Sequence, residues 1–189
     1  VFWKNGKIMK NKILDCITFF DNNFMFDLRY NILKNYVDYF VICESKYDHQ
    51  GNRKKINFIF KETYEKNKIK YLLMDEKFPI KNDPWGNQAI QREYMLNKLN
   101  FADKDDYIFF SDPDEIPRPE LLIDFSLKKK FGIFLQRCFN FKLNLFNPHE
   151  SPWEGTRVAK KKDLKSIDFM RQKIKSKNLN YSFLRLDKE

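Results

Sequence analysis

Apolar positions in this chain gather into short runs whose period changes from one run to the next. Residues 13–20 read Ile-Leu-Asp-Cys-Ile-Thr-Phe-Phe, a run rich in β-forming side chains, and residues 37–43, 69–74 and 107–110 supply three more strands of similar character. Between these runs the spacing turns helical. Phe24, Leu28, Ile32 and Leu33 recur at helix intervals within residues 24–35, and Pro84 opens a segment carrying Trp85, Ala89, Tyr94, Met95 and Leu99. Residues 56–66 are expected to form another helix. Strands alternating with helices imply an α/β fold with a mostly parallel central sheet covered on both faces.

The pattern changes in the last third. Residues 131–146 form a long aromatic run with partial alternation, expected as a hairpin or the edge of a mixed sheet, and residues 163–177 read as a basic helix. No repeat, low-complexity linker or domain boundary interrupts the chain. The expectation is a single domain over residues 9–189, with residues 1–8 a poorly structured extension. A length of 189 residues suffices for one sizeable core, and 20 Phe with 9 Tyr favour folding over disorder in so charged a sequence.

The fourth strand ends abruptly in Ser111, Asp112, Pro113, Asp114 and Glu115. Clustered carboxylates suit a hard divalent cation, since Mg2+ and Mn2+ take oxygen ligands and keep waters or phosphates in the remaining positions. Pro113 biases Asp112 toward an extended backbone, and Pro117 and Pro119 stiffen the exit. The four expected strands end near Asp21, Glu44, Asp75 and Asp112, all at one edge of a parallel sheet, where open α/β folds bind ligands. The plainer alternative is that Asp-Pro-Asp-Glu is a solvated turn leading into a helix.

The formal net charge is +10, with Lys160, Lys161, Lys162, Lys165, Arg171, Lys173, Lys175 and Lys177 crowded toward the end. Such a surface attracts anionic lipid, nucleic acid or phosphorylated substrate, or serves as a solubilising face. Cys16, Cys43 and Cys138 are an odd number set in apolar runs without C-x-x-C spacing, which suits reduced core thiols and a cytoplasmic compartment. No stretch reaches the roughly 18 apolar residues of a membrane span, and the start lacks the features of a signal peptide. His49 and His149 are expected in surface loops, and the Cys and His spacing gives no zinc site.

Six motifs in order carry a family resemblance. They are Asp15-Cys-Ile-Thr-Phe-Phe, Leu28-Arg-Tyr-Asn-Ile-Leu, Val37-Asp-Tyr-Phe-Val-Ile-Cys-Glu-Ser, Asp83-Pro-Trp, Gln91-Arg and Ser111-Asp-Pro-Asp-Glu-Ile-Pro-Arg-Pro. Together they resemble glycosyltransferase family 17, which includes the bisecting β-1,4-N-acetylglucosaminyltransferase, over about residues 12–165. The resemblance implies a GT-A-like fold, a nucleotide-sugar donor with UDP-linked N-acetylglucosamine as the default, a glycan acceptor, Mn2+ or Mg2+ at Asp-x-Asp, and inversion at the anomeric carbon. No nucleic-acid partner is expected; peripheral contact with an anionic membrane surface at its cytoplasmic side is compatible with the charge.

Within that frame Asp114 is the first choice for direct metal contact, with Asp112 binding the metal through water or holding sugar hydroxyls. Arg92 is a candidate to neutralise the diphosphate or brace an aspartate, and Glu44 and Ser45 to hydrogen-bond the donor's base or ribose. Arg29 is expected to brace an acid or cap its helix. The base that takes the acceptor proton is sought at Glu154, flanked by Trp153 and a Gly-Thr turn, or at Glu115. Two departures stand out. Asn22 and Asn23 replace an acidic residue that follows the first strand in the family, and Asn180 falls where a metal-binding histidine is expected, which leaves a non-catalytic sugar-binding relative as an alternative beside a metal-dependent phosphoryl-transfer domain.

Overall fold

The computed structural model describes residues 3–4, 7–8, 10–141, 144–171 and 183–186. Along the chain run β1 (Trp3–Lys4), β2 (Lys7–Ile8), β3 (Ile13–Phe19), α1 (Asn23–Leu33), β4 (Tyr39–Ser45), β5 (Ile69–Met74), α2 (Pro84–Asn97), β6 (Tyr107–Ser111), β7 (Phe131–Gln136), β8 (Trp153–Lys160), α3 (Ile167–Arg171) and β9 (Phe183–Leu186). β1 and β2 make a small antiparallel ribbon in the stretch expected to lack structure. The other strands form one seven-stranded sheet in the order β5-β4-β3-β6-β8-β7-β9.

β5, β4, β3 and β6 are parallel, β8 runs antiparallel between β6 and β7, and β9 joins β7 in parallel. This is the mostly parallel α/β sheet with a mixed C-terminal part expected of a GT-A-like architecture. From β3 the chain moves outward through β4 to β5, then returns past β3 to β6. The strand order therefore reverses between β3 and β6, and the crevice at that switch point is where open α/β sheets bind ligands.

The central strands read as apolar on both sides because both faces are covered: every residue of β3 is buried. Their period of two divides the core. Ile13, Ile17, Phe40, Ile42, Tyr107 and Phe109 face a cluster that includes Phe26, Tyr30 and Leu33 of α1. Leu14, Cys16, Val41, Cys43, Ile108 and Phe110 face a second cluster with Met95 of α2 and Ile167 of α3. The same parity assigns Asp15, Glu44 and Ser111 to the α1 side and Asp112 to the α2 side.

Both long helices start on capping chemistry. The Asn22 side chain accepts from Met25 N, and the Asp83 side chain from Gly86 N with Pro84 following, caps that contribute roughly 1 kcal/mol each. The inward stripe of α1 is Phe26, Arg29, Tyr30 and Leu33, and that of α2 is Asn87, Gln91, Arg92 and Met95. A buried polar stripe on a helix is costly unless its groups find partners, and it points at the ligand edge.

The helix expected over residues 56–66 is absent. Its amides are used elsewhere: Asn57 N and Phe58 N donate to the Glu44 carboxylate at 2.7 and 3.1 Å, and Ile59 N to Asn23 Oδ1 at 2.9 Å. The segment crosses the sheet face in irregular form, with Phe58 packed against Phe19, Phe26 and Tyr71. Of the hairpin or mixed-sheet edge expected over 131–146, the structure has the latter in β7, which pairs with β8 and β9 near the edge of the mixed sheet, followed by an isolated antiparallel bridge between Phe139 and Phe146. The basic helix expected over 163–177 is helical at Ile167–Arg171, and its later residues lie outside those described. Cys16 and Cys43 are buried free thiols, whereas Cys138 is only half-buried, against the expectation of a core position. No described helix is long and apolar enough to cross a membrane.

Candidate active site

The floor of the site is a buried guanidinium. Arg29 is 0% exposed, and its Nε and Nη2 donate to the two oxygens of Asp15 at 2.6 and 2.5 Å. Nη2 also donates to Ser111 Oγ at 2.9 Å, while Nη1 donates to the carbonyls of Glu115 at 3.0 Å and Asp112 at 3.4 Å. Thr156 Oγ1 adds a bond to the Glu115 carbonyl at 2.9 Å. One end of Arg29 thus neutralises a strand carboxylate and the other grips the backbone of the acidic turn, so the turn's shape is set from beneath.

Side chains on that turn are held from above. Glu115 is 7% exposed and accepts from Asp112 N at 2.9 Å, Trp153 Nε1 at 2.7 Å and Arg171 Nη1 at 2.7 Å. Arg171 Nη2 donates to Asp112 Oδ2 at 2.7 Å and to Glu115 Oε1 at 3.1 Å. The second oxygen of Asp112, Oδ1, is buried with no hydrogen-bond partner among the described residues and lies 3.9 Å from Arg92 Nη2. Burial raises the Asp112 carboxyl above its ordinary range, Arg171 and Arg92 pulling it back and Glu115 and Asp114 pushing it up.

Three guanidiniums converge here. Arg92 is 8% exposed, donates from Nη1 to Asp168 Oδ1 at 3.0 Å, and keeps Nε buried and unpartnered. The guanidinium carbons of Arg92 and Arg171 lie 5.6 and 5.9 Å from the centre of the Phe110 ring, within cation–π range. Arg157 donates to the carbonyls of Glu154, Gly155 and Met170. Burial, then Arg171, lowers its guanidinium to about 10, still charged at neutral pH.

The cleft at the switch point has a volume of about 270 Å³ and is lined by Thr18, Asp21, Ser45, His49, Gln91 and Asp112 among others. Gln91 Nε2 donates to the Cys43 carbonyl at 2.8 Å, so its oxygen faces His49 Nε2 at 2.7 Å. With the amide in that orientation, His49 Nε2 is the donor of the pair. Ser45 Oγ accepts from Tyr47 N at 3.0 Å.

Several expectations change once the side chains are placed. Glu44 is fully buried, and its carboxylate is filled by Lys54 Nζ at 2.5 Å, two backbone amides and Tyr71 Oη at 2.8 Å, so it organises the loop rather than the donor. Glu115 has both oxygens engaged by donors and serves as an anchor, not as a free base. Glu154 sits in strand β8, not beside a turn; a Cβ at the neighbouring Gly155 would fall 1.6 Å from Gln136 Oε1, so a larger residue there has to displace the Gln136 side chain. Glu154 is half-buried, with Oε2 3.5 Å from Arg157 Nη2. Ser45 and Asp112 line the cleft, Arg92 lies beside Asp112, and Asp114 is exposed on the turn. Asn180 lies outside the described residues.

His49 lies in a loop, as expected, and that loop forms part of the cleft wall, while His149 is exposed. Arg171 and Trp153 are the principal residues that sequence reasoning did not bring to Asp112. Their contacts span 59 and 38 residues, and no periodicity encodes such pairings.

A divalent cation fits this turn in donor chemistry. Asp112 Oδ1 is a buried acceptor without a partner, and Asp114 supplies a second carboxylate two residues on. Among the described residues no group of three or more His, Cys, Asp or Glu could hold a metal. Mg2+ commonly binds through one or two carboxylates and substrate phosphates, and these two residues offer carboxylates of that type.

The chain is similar to the solved 2-C-methyl-D-erythritol 4-phosphate cytidylyltransferase of Francisella tularensis, at 15% identity and a TM-score of 0.42, over 89% of this chain and 80% of that one. No curated protein matches it. The sequence pattern of Glycosyltransferase family 17 matches residues 2–132, which takes in Arg29, Arg92 and the Asp112–Glu115 turn but stops before Glu154 and Arg171. With well over half of its length matched, the chain belongs to glycosyltransferase family 17.

Proposed function

We propose that this glycosyltransferase moves a sugar from a nucleoside-diphosphate donor, UDP-N-acetylglucosamine being the first candidate, to a hydroxyl of a glycan acceptor with inversion. The observation that carries the reading is Asp112 Oδ1: a carboxylate oxygen, buried and unpartnered, at the carboxyl end of β6 where the strand order reverses. Desolvating such a group is unfavourable unless a ligand completes it.

In this reading Asp112 and Asp114 hold Mn2+ or Mg2+, whose chemistry when bound is to neutralise charge that grows on the departing diphosphate. Arg92, beside Asp112, adds positive charge on the same side. Ser45 and His49 present a hydroxyl and an imidazole to the donor's base or ribose in the cleft. Glu154 takes the acceptor hydroxyl's proton, opposite the leaving group.

A first test is a thermal-shift series with UDP, GDP, ADP and CDP, with and without Mn2+. A native-state ligand raises the apparent melting temperature, and UDP with Mn2+ is expected to raise it most. Asp114→Ala is then expected to lower donor turnover by at least about 100-fold with the melting temperature unchanged. Unchanged turnover would remove Asp114 from the site. Glu154→Gln should lower transfer by about 100-fold while donor binding is retained, and equal rates would move the base elsewhere.

One observation favours a second reading, the non-catalytic sugar-binding relative. Arg171 already occupies Asp112 Oδ2, which leaves that carboxylate less available to a cation. Donor binding with neither transfer nor hydrolysis would establish that alternative.

A further inference from the structure

Resting on the donor reading above, we infer that Arg171 is an exchangeable counter-ion of the cation site: it pairs with Asp112 until a divalent cation and a nucleoside diphosphate arrive together, then turns to the diphosphate.

The geometry separates a fixed contact from a releasable one. Arg171 is held by Glu115 through two bonds, at 2.7 and 3.1 Å, and by the Gly155 carbonyl at 3.2 Å. Its bond to Asp112 Oδ2, at 2.7 Å, is the only one of these that blocks a carboxylate placed to serve a cation. Glu115, which holds Arg171 through its other contacts, is itself tied to Trp153 Nε1 and Asp112 N.

Around this pair the site is short of one cation and one anion. Asp112 Oδ1 is an orphan acceptor, and Arg92, 8% exposed with Nη2 3.9 Å from that oxygen, carries an orphan donor at Nε. Arg171 acts unfavourably on both Arg92 and Arg157. A divalent cation that takes both oxygens of Asp112, arriving alone, would displace Arg171 from Oδ2 and crowd it against those two guanidiniums. A diphosphate arriving alone would face the carboxylates of Asp112 and Asp114. Each ligand cancels the charge that opposes the other, so their binding should be coupled through Arg171.

The test is Mn2+ binding, read from the electron paramagnetic resonance signal of free Mn2+, for the full chain with and without each of UDP, GDP, ADP and CDP. Wild-type protein is expected to bind Mn2+ weakly alone and much more tightly with one of these nucleotides. Arg171→Gln should bind Mn2+ alone at least about tenfold more tightly than wild type and lose at least about tenfold of the coupling to nucleotide. Adding Asp112→Asn should erase the gain, because the freed oxygen is its source. Arg171→Lys, which keeps the charge without the planar fork, should fall between wild type and Arg171→Gln and covers the case in which the Gln variant fails to fold.

Mn2+ affinity in Arg171→Gln no higher than wild type would overturn the inference and leave the donor reading standing. A gain that survives Asp112→Asn would also overturn it, as a general charge effect. If wild-type protein binds Mn2+ with none of the four nucleotides, the donor reading itself fails.

Discussion

Among single residues, Arg29 has the widest reach, because one buried side chain ties the first parallel strand to the acidic turn 83 to 86 residues later. Removing it leaves Asp15, 2% exposed, as a buried carboxylate without its counter-charge. Arg29→Ala is expected to cost about 3–5 kcal/mol, measured by urea unfolding, and a loss below about 1 kcal/mol would contradict the role described. Of the two roles expected for Arg29, bracing an acid or capping its helix, the structure shows the first, in its pairing with Asp15. Glu44 was less legible. A carboxylate at a strand end reads as ligand-facing until one knows that the amides of Asn57 and Phe58 reach it first. The period of β4 does place Glu44 on the α1 side, away from Asp112, but that parity acquires meaning only once the covering helices are known.

At the level of elements, four parallel strands and two helices were legible because long apolar runs, a capping Asn or Asp and a helix-opening Pro act locally. β8 was not, since Trp153, Glu154, Gly155, Thr156 and Arg157 alternate poorly in polarity and carry a glycine that reads as a turn. Its reason lies across the sheet. Gln136 lays its side chain over Gly155, accepting from Thr156 N at 3.0 Å and donating to the Ile116 carbonyl at 2.8 Å. Gly155→Ala should expel that side chain, with a loss of about 1–3 kcal/mol and a melting temperature several degrees lower. An unchanged melting temperature would mean that Gln136 finds equivalent partners elsewhere. Since β8 also carries Trp153 and Thr156, both bonded to Glu115, a disturbance there is transmitted to the acidic turn.

Across the whole molecule, the site has a stability cost that depends on pH. Burial raises Asp112 above its unfolded value, so the neutral form is the one the fold favours. Its contribution to stability is therefore full below the ordinary carboxylate range and is lost as pH rises through the raised value. Asp112→Asn should be at least as stable as wild type at neutral pH, with the two converging in acid; denaturant midpoints across the pH range measure it. A variant clearly less stable than wild type at neutral pH would show that the Arg171 pairing outweighs desolvation. A ligand that completes Asp112 would offset the same cost, which links occupancy of the site to stability of the sheet.

The far edge of that sheet carries a different consequence. β7 reads Phe-Gly-Ile-Phe-Leu-Gln, uncharged and rich in β-forming residues, and β9 covers its outer side along Phe131, Gly132, Ile133 and Phe134. A bare strand of that composition is a template on which further copies can stack into fibrils. The β9 strand therefore shields that edge, and ending the chain before residue 183 is expected to raise light scattering of the protein over time at a fixed concentration.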